Sequence, residues 1–415
     1  MATENLKDAV KSEVTIEVQP KESRPPETAS TPANGASVAA PLLEILRALL
    51  STHERVSDII FSPGRYPQVE VSGQLVQVRL PGVNPLTHQD TQRLAAEIIG
   101  AHTQARQMLE SEGSCDVSFS VKGLSRFRVN IFRQRGTYAV VMRVIPTGIP
   151  TFESLALPPQ LKDIAELKNG IVLVTGPTGS GKSSTLAAII NRINEEKAYH
   201  IVTIEDPIEF LHAHKKSTIH QRELHRDTPT FALALRAALR QAPKVILVGE
   251  MRDRETVEIA LEAAETGHLV LSTLHTIDAS KTVERITGIF PLEDQRLIRT
   301  RFSKAFRYVV SQRLIPAVEG RSRVAAFEIL KSTLRTREYI EKGESEGKTL
   351  VDAMRDGSLE GMQHFDQQID GLIRSGSVSL ETGLSYASNA GNLRLQLHDL
   401  PPQVRREPRN IPVSV

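Results

Sequence analysis

The sequence holds one cysteine, Cys115, and no tryptophan, and aromatic residues make up only 4% of its 415 positions. A lone thiol can form neither an internal disulfide nor a zinc site built from several cysteines, which fits a reducing compartment. Cys115 itself is most simply a small buried residue. Charge of one sign is also missing: 51 Lys and Arg face 49 Asp and Glu, leaving a formal net charge of +2. No global field therefore argues for nucleic acid as partner, and no basic stripe with interleaved aromatics suggests a DNA-translocating motor. Long apolar runs are absent as well. Runs such as IVLV at 171–174 and VILV at 245–248 fall far short of the ~18 residues that span a bilayer. The opening MATENLKDAV has no basic stretch followed by an apolar run, so it does not read as a signal peptide. The expectation is a cytoplasmic protein that reaches a membrane only through a partner.

What is present is ordinary globular material, 40% hydrophobic and 24% charged, and enough of it for two or three domains. Residues 1–40 mix charges with Pro20, Pro25, Pro26 and Pro32, contain no aromatic residue and show no periodicity, the pattern of a disordered tail. From Pro41 the leucines of PLLEILRALLSTHER recur at helical spacing, and VEVSGQLVQV alternates about a Ser72-Gly73 turn as a hairpin does. A second helix is expected at 91–100, and CDVSFSVKG with SRFRVNIFRQRGTYAVVMRVI reads as an antiparallel sheet. Residues 41–148 thus form a small α+β domain, closed by IPTGIP at 145–150. Beyond it the pattern changes to short continuous apolar strands between helices, the mark of a parallel sheet buried on both faces. Strands are expected at 170–175, 200–205, 245–249, 268–273 and 323–330. This α/β core runs over 149–330, a mainly helical region over 331–398, and a frayed tail over 399–415.

The strongest chemical signal is GPTGSGKS at 176–183, which follows an apolar strand and opens a helix. In such a loop Gly176, Pro177, Thr178, Gly179, Ser180 and Gly181 let backbone amides wrap phosphates, and Lys182 reaches the β- and γ-phosphates of ATP. Ser183 ligates Mg²⁺ and Ser184 extends the contact. A second cluster is TIEDPIEF, where Glu205 and Asp206 close the next strand and Glu209 follows a proline turn. Carboxylates at that strand end lie where an attacking water must be oriented. Alone, the cluster is an acidic turn. VILVGEMRD ends an apolar strand on Glu250, in the form of a Walker B element holding the Mg²⁺ water shell. In ETGHLVLSTLHT, His268 stands at a strand start and His275 near its end; a lone histidine is ordinarily structural, but one at a strand end can sense the γ-phosphate. Arg126, Arg128 and Arg133 lie in SRFRVNIFR, where alternation puts Arg126 and Arg128 on one face, suited to enter another subunit's site as fingers.

Together these segments resemble the PilT/PilU-type ATPases that retract type IV pili, within the type II and type IV secretion ATPase superfamily. The resemblance spans about 45–398 and rests on GPTGSGKSSTLAAIIN, TIEDPIEF, ALRAALRQAPKVILVGEMRD and AAETGHLVLSTLHT, with FPLEDQR, VVSQRLIP and GMQHFDQQIDGLI further on. It implies a RecA-like P-loop NTPase domain preceded by a PAS-like domain. It also implies a homo-hexamer in which one subunit's PAS-like domain packs on the next subunit's RecA-like domain. By position it assigns phosphate and Mg²⁺ to Lys182 and Ser183, orientation of the attacking water to Glu209, with Glu205 as the alternative, and the metal shell to Glu250. His275 and His268 become γ-phosphate-side residues. The partners implied are an inner-membrane pilus platform protein and a second pilus ATPase. Two departures stand out: TLRTREYIEKGE occupies the place of an AIRNLIRE-like helix, and the close, from GMQHFDQQIDGLI onward, is more similar to the PilU accessory branch. A secretion ATPase of the same fold, or an ATP-binding regulator of pilus state without sustained turnover, are the alternatives.

Overall fold

The computed structural model describes residues 15–17, 41–53, 56–71, 73–145, 148–320 and 322–399. The chain divides into two compact units, one up to residue 147 and one from residue 148. Most of the expected disordered tail, and nearly all of the frayed C-terminal one, lie outside the described residues.

The first unit begins with β1 (Thr15–Glu17) and α1 (Leu42–Ser51), then β2 (Val56–Phe61), β3 (Gln68–Val71) and β4 (Gln74–Arg79). Helices α2 (His88–Ile99) and α3 (Thr103–Ser111) lead into β5 (Ser114–Val121), β6 (Ser125–Gln134) and β7 (Thr137–Ile145). The strands form one sheet in the order β1-β4-β3-β2-β7-β6-β5, antiparallel except where β1 lies parallel to β4. Alternation builds it as the pattern predicts: Phe127, Val129 and Ile131 of β6 join Leu46 and Leu49 of α1 and Leu94 of α2 in one core, while Arg128 between them is exposed. The hairpin expected at Ser72-Gly73 is present as β3 and β4. Helix α2 starts three residues earlier than expected, because Thr87 and Asp90 form a reciprocal capping box at its start.

In the second unit β8 (Gly170–Thr175) leads into α4 (Lys182–Glu196), followed by β9 (His200–Glu205), β10 (Thr218–Glu223), α5 (Phe231–Ala238), β11 (Val245–Val248) and α6 (Arg254–Glu265). Next come β12 (Leu269–Leu274), α7 (Ala279–Gly288), α8 (Leu292–Ala305), β13 (Phe306–Pro316) and β14 (Arg323–Lys331). Five helices close the chain: α9 (Leu334–Lys342), α10 (Leu350–Asp356), α11 (Phe365–Arg374), α12 (Leu380–Tyr386) and α13 (Ala390–Gln396). The sheet order is β10-β9-β11-β12-β8-β13-β14, all parallel except β14. Every residue of β8, β11 and β12 is buried. Val172 and Val174 pack with Ile189 and Ile193 of α4, whereas Ile171 and Leu173 face Ala260 and Leu261 of α6. This two-sided burial is why these strands read as continuous apolar runs. Helices α11 to α13 lay Phe365, Ile369, Ile373, Leu384 and Leu393 against Ile315 and Ala326 of β13 and β14.

Four strands were not expected: β1, within the stretch read as a disordered tail, β2, β10 and β13. β10 is a polar edge strand, and β13 interrupts its apolar run with Ser311 and Gln312; both residues are buried, so their polarity marks internal bonds rather than solvent.

Candidate active site

The parallel strands end together. Thr175 of β8 is level with Leu274 of β12, and Val248 of β11 is level with Ser272 of β12 and Ile204 of β9. Because β12 lies between β8 and β11, His275 emerges between the 176–183 loop and Glu250. Carboxyl ends of parallel strands are where ligands bind in open α/β sheets.

The loop is held open by backbone conformations that a side chain would disturb. Gly176, Gly179 and Gly181 have φ of 144°, 76° and 91°. A Cβ on Gly176 would lie 2.3 Å from the Gln312 carbonyl oxygen, and one on Gly181 would lie 2.9 Å from Gln312 Nε2. Helix α4 begins directly after Gly181 with no side chain capping it, so its first amides point into the loop. The Ser180 hydroxyl is buried with no hydrogen-bond partner among the described residues. An uncapped helix start, an unpaired buried hydroxyl and a glycine-lined turn make a cradle suited to phosphate.

Lys182 is buried and donates to the carbonyls of Gly176 and Pro177 at 2.9 and 3.1 Å. Burial pulls its pKa below the usual lysine value, and the charges of Glu209 and Glu250 oppose that pull. Both acids therefore act on the same ammonium. Glu250 is largely buried, pairs with Arg252 and lies 3.6 Å from His275 Nε2. Burial, then the Lys182 charge, depress the His275 pKa, so the imidazole is neutral near pH 7.

Glu205 and Glu209 are separated in role by their surroundings. The Glu205 carboxylate accepts from Thr203 Oγ1 at 2.6 Å and from Gln221 Nε2 at 3.2 Å, and burial raises its pKa. Gln221 of β10 also holds the Phe210 carbonyl and the His212 amide, so the edge strand braces the loop carrying Glu209. Glu209 itself is exposed. The alternative of Glu205 as the water-orienting acid thus meets a carboxylate already bonded inward.

His268 does not join His275. It precedes β12, with Nδ1 3.0 Å from the Ala263 carbonyl and its own carbonyl accepting from Gly170 at the start of β8. The six residues of β12 put about 20 Å between the two histidines. Within the chain, its expected place on the γ-phosphate side is corrected to a structural one at the opposite end of the sheet. Of the arginines, Arg126 is buried with Nη2 3.5 Å from Ser118 Oγ, while Arg128 and Arg133 are exposed. Arg126 and Arg128 share a face as expected, whereas Arg133 has the other parity and lies near the Tyr138 ring.

Sequence reasoning missed β13. Gln312 Oε1 accepts from Thr185 of α4 at 2.8 Å, and Ser311 accepts from Thr175 at 2.9 Å, so two neighbouring residues brace both ends of the phosphate loop. Their signal was the Ser-Gln-Arg run inside an otherwise apolar VVSQRLI. Among the described residues no group of three or more His, Cys, Asp and Glu could hold a metal ion by itself, and no helix is long and apolar enough to cross a membrane.

The profile of the Type II/IV secretion system protein family matches residues 68–392. Over 337 residues the chain is 44% identical to the type IV pilus retractation ATPase PilT of Pseudomonas aeruginosa, covering 81% of this chain and 96% of that protein. It is 38% identical over 341 residues to the type IV pilus ATPase PilU of the same organism, covering 82% and 87% respectively. Among solved structures, the pilus retraction motor PilT with bound ADP superposes with a TM-score of 0.78 at 43% identity, over 86% of this chain and 99% of that one.

Proposed function

The chain belongs to the type II/IV secretion system protein family, and on that premise we propose that it is an ATP-hydrolysing motor of type IV pilus retraction. The observation that carries this reading is the convergence of Glu209, Glu250 and neutral His275 on Lys182 at the mouth of the glycine-lined loop.

ATP enters as substrate, its phosphates taking the first amides of α4 and the orphan Ser180 hydroxyl. Lys182 then exchanges the carbonyls of Gly176 and Pro177 for phosphate oxygens. Glu209, exposed and on a loop braced by β10, orients the attacking water, whereas Glu205 stays bonded to Thr203 and Gln221. Neutral His275, beside Glu250, follows the γ-phosphate. The scarcity of protein ligands suits Mg²⁺, which keeps most of its waters; Ser183 would hold it directly and Glu250 through its water shell. When bound, Mg²⁺ neutralises charge developing between the β- and γ-phosphates.

The motor acts as a homo-hexamer in the cytoplasm, against an inner-membrane pilus platform protein. The exposed Arg128, with Arg126 and Arg133, supplies positive charge to a neighbouring subunit's site. The stretch beginning at Leu334 and the closing helices support cooperation with a second pilus ATPase, while the higher identity to the PilT relative supports retraction as the work done. The reading is tested by Lys182→Ala, which should abolish steady-state ATP hydrolysis and, in a complemented deletion strain, twitching. Turnover within about tenfold of wild type, a barrier change of only about 1.4 kcal/mol, would sink it. A strain lacking the gene should show many surface pili without twitching; absence of pili would point to assembly instead.

A further inference from the structure

Glu328 is a carboxylate only 3% exposed, midway along β14, a place where a charge without partners would be costly. Its partners connect the two sides of the active site. Glu328 is in register with Ser311 of β13, whose hydroxyl favours its ionised form and accepts from Thr175 Oγ1 at 2.9 Å. Its Oε1 accepts from the Ala279 amide at 2.8 Å. Thr175 is the last residue of β8 before the phosphate loop, and Ala279 is the first of α7, just beyond His275. One carboxylate and two hydroxyls therefore span from the root of the phosphate loop to the end of the His275 loop.

We propose that Glu328 is a positioning residue for ATP hydrolysis, fixing the His275 loop relative to the phosphate loop through Ser311 and Thr175 on one side and the first amide of α7 on the other. This rests on the ATPase reading above. The ionised carboxylate is the form that accepts from the Ala279 amide at full strength, is favoured by the Ser311 hydroxyl opposite it and meets the positive end of the α7 dipole. Charged groups facing it are Arg313 from β13 and Asp278 from the start of α7. On its other side Arg355, His364 and Asp366 share with it the lining of a cavity of about 260 Å³. Burial, reinforced by Asp278 and opposed by Arg313, raises the Glu328 pKa to about 7, so the ionised form is gained as pH rises through neutrality.

The experiment compares full-length wild type with Glu328→Gln and Ser311→Ala in steady-state hydrolysis and ATP affinity from pH 6 to 8. At pH 8 Glu328→Gln should lower kcat by roughly 2- to 30-fold, the span of couplings through such networks, with ATP affinity nearly unchanged. The gap should narrow at pH 6, where wild type has also lost the charge. Ser311→Ala should lower kcat and move the midpoint of the wild-type pH profile upward, because a bond to the ionised form is removed. A Glu328→Gln kcat equal to wild type at pH 8, or depressed by the same factor at both pH values, would overturn the proposal. If Glu328→Gln does not fold, Ser311→Ala decides alone, and an unchanged midpoint and kcat overturn it. Wild-type turnover abolished by Lys182→Ala shows the ATPase reading intact, so these failures would then fall on Glu328 alone; no such turnover would overturn both.

Discussion

Replacing Gly176 by alanine tests the claim that β13 is the wall on which the phosphate loop is built. The new Cβ would sit 2.3 Å from the Gln312 carbonyl oxygen and 2.6 Å from Ser180 Oγ, at a φ of +144° that side chains avoid. The first neighbour is backbone in a buried strand and cannot swing aside. Strain of about 1–3 kcal/mol for the conformation and a similar overpacking term add to roughly 2–6 kcal/mol. At about 2–4 °C per kcal/mol for a unit of this size, the calorimetric transition of residues 148–415 should fall by roughly 4–24 °C. Gly179→Ala is the matched control, since its φ is +76° but nothing lies within 4 Å of the added Cβ. That variant should carry only the conformational term, about 1 kcal/mol. A Gly176→Ala protein melting with or above Gly179→Ala would refute the close approach of loop and strand. A Gln312→Ala variant restoring none of the loss would agree with the backbone oxygen being the obstacle.

Glu209→Gln and Glu250→Gln should each slow hydrolysis while leaving nucleotide affinity nearly intact, because the amide keeps the shape and loses the charge; collapse of affinity with normal turnover of bound ATP would show the roles misassigned. Arg128→Ala should form rings that turn over slowly, an arginine in trans being worth about 10³ to 10⁵ in rate. Mixing it with Lys182→Ala should return activity, and failure at every ratio in rings shown to exchange subunits would count against a trans role. Glu328 predicts a pH effect on stability as well. Its folded pKa of about 7 lies above the ordinary carboxylate value of 4.5, so the folded state holds the extra proton. Its contribution is full below the unfolded pKa and is lost as pH rises towards 7, by about 3 kcal/mol at most. Glu328→Gln should flatten that fall in thermal unfolding between pH 5 and 8, and an unchanged slope would contradict it.

Several features were determined by the sequence alone, because local chemistry carries them. A glycine-rich loop between an apolar strand and a helix is legible at 176–183 whatever surrounds it. Strands buried on both faces announce themselves as unbroken apolar runs, as at β8 and β11, and β5 to β7 announce theirs by alternation. The acids Glu209 and Glu250 could be named because each closes or follows such a strand. Tertiary structure decided what depends on which elements lie side by side. Inserting β12 between β8 and β11 brings His275 to Glu250, while the length of the same strand removes His268 to the far end, although both histidines share one short motif. Pairing with β10 turns Glu205 inward and leaves Glu209 exposed. Strand β13 was the least legible element, since Ser311 and Gln312 break its apolar run. Their hydroxyl and amide find partners in Thr175 and Thr185, 136 and 127 positions away, and no window of sequence contains such bonds.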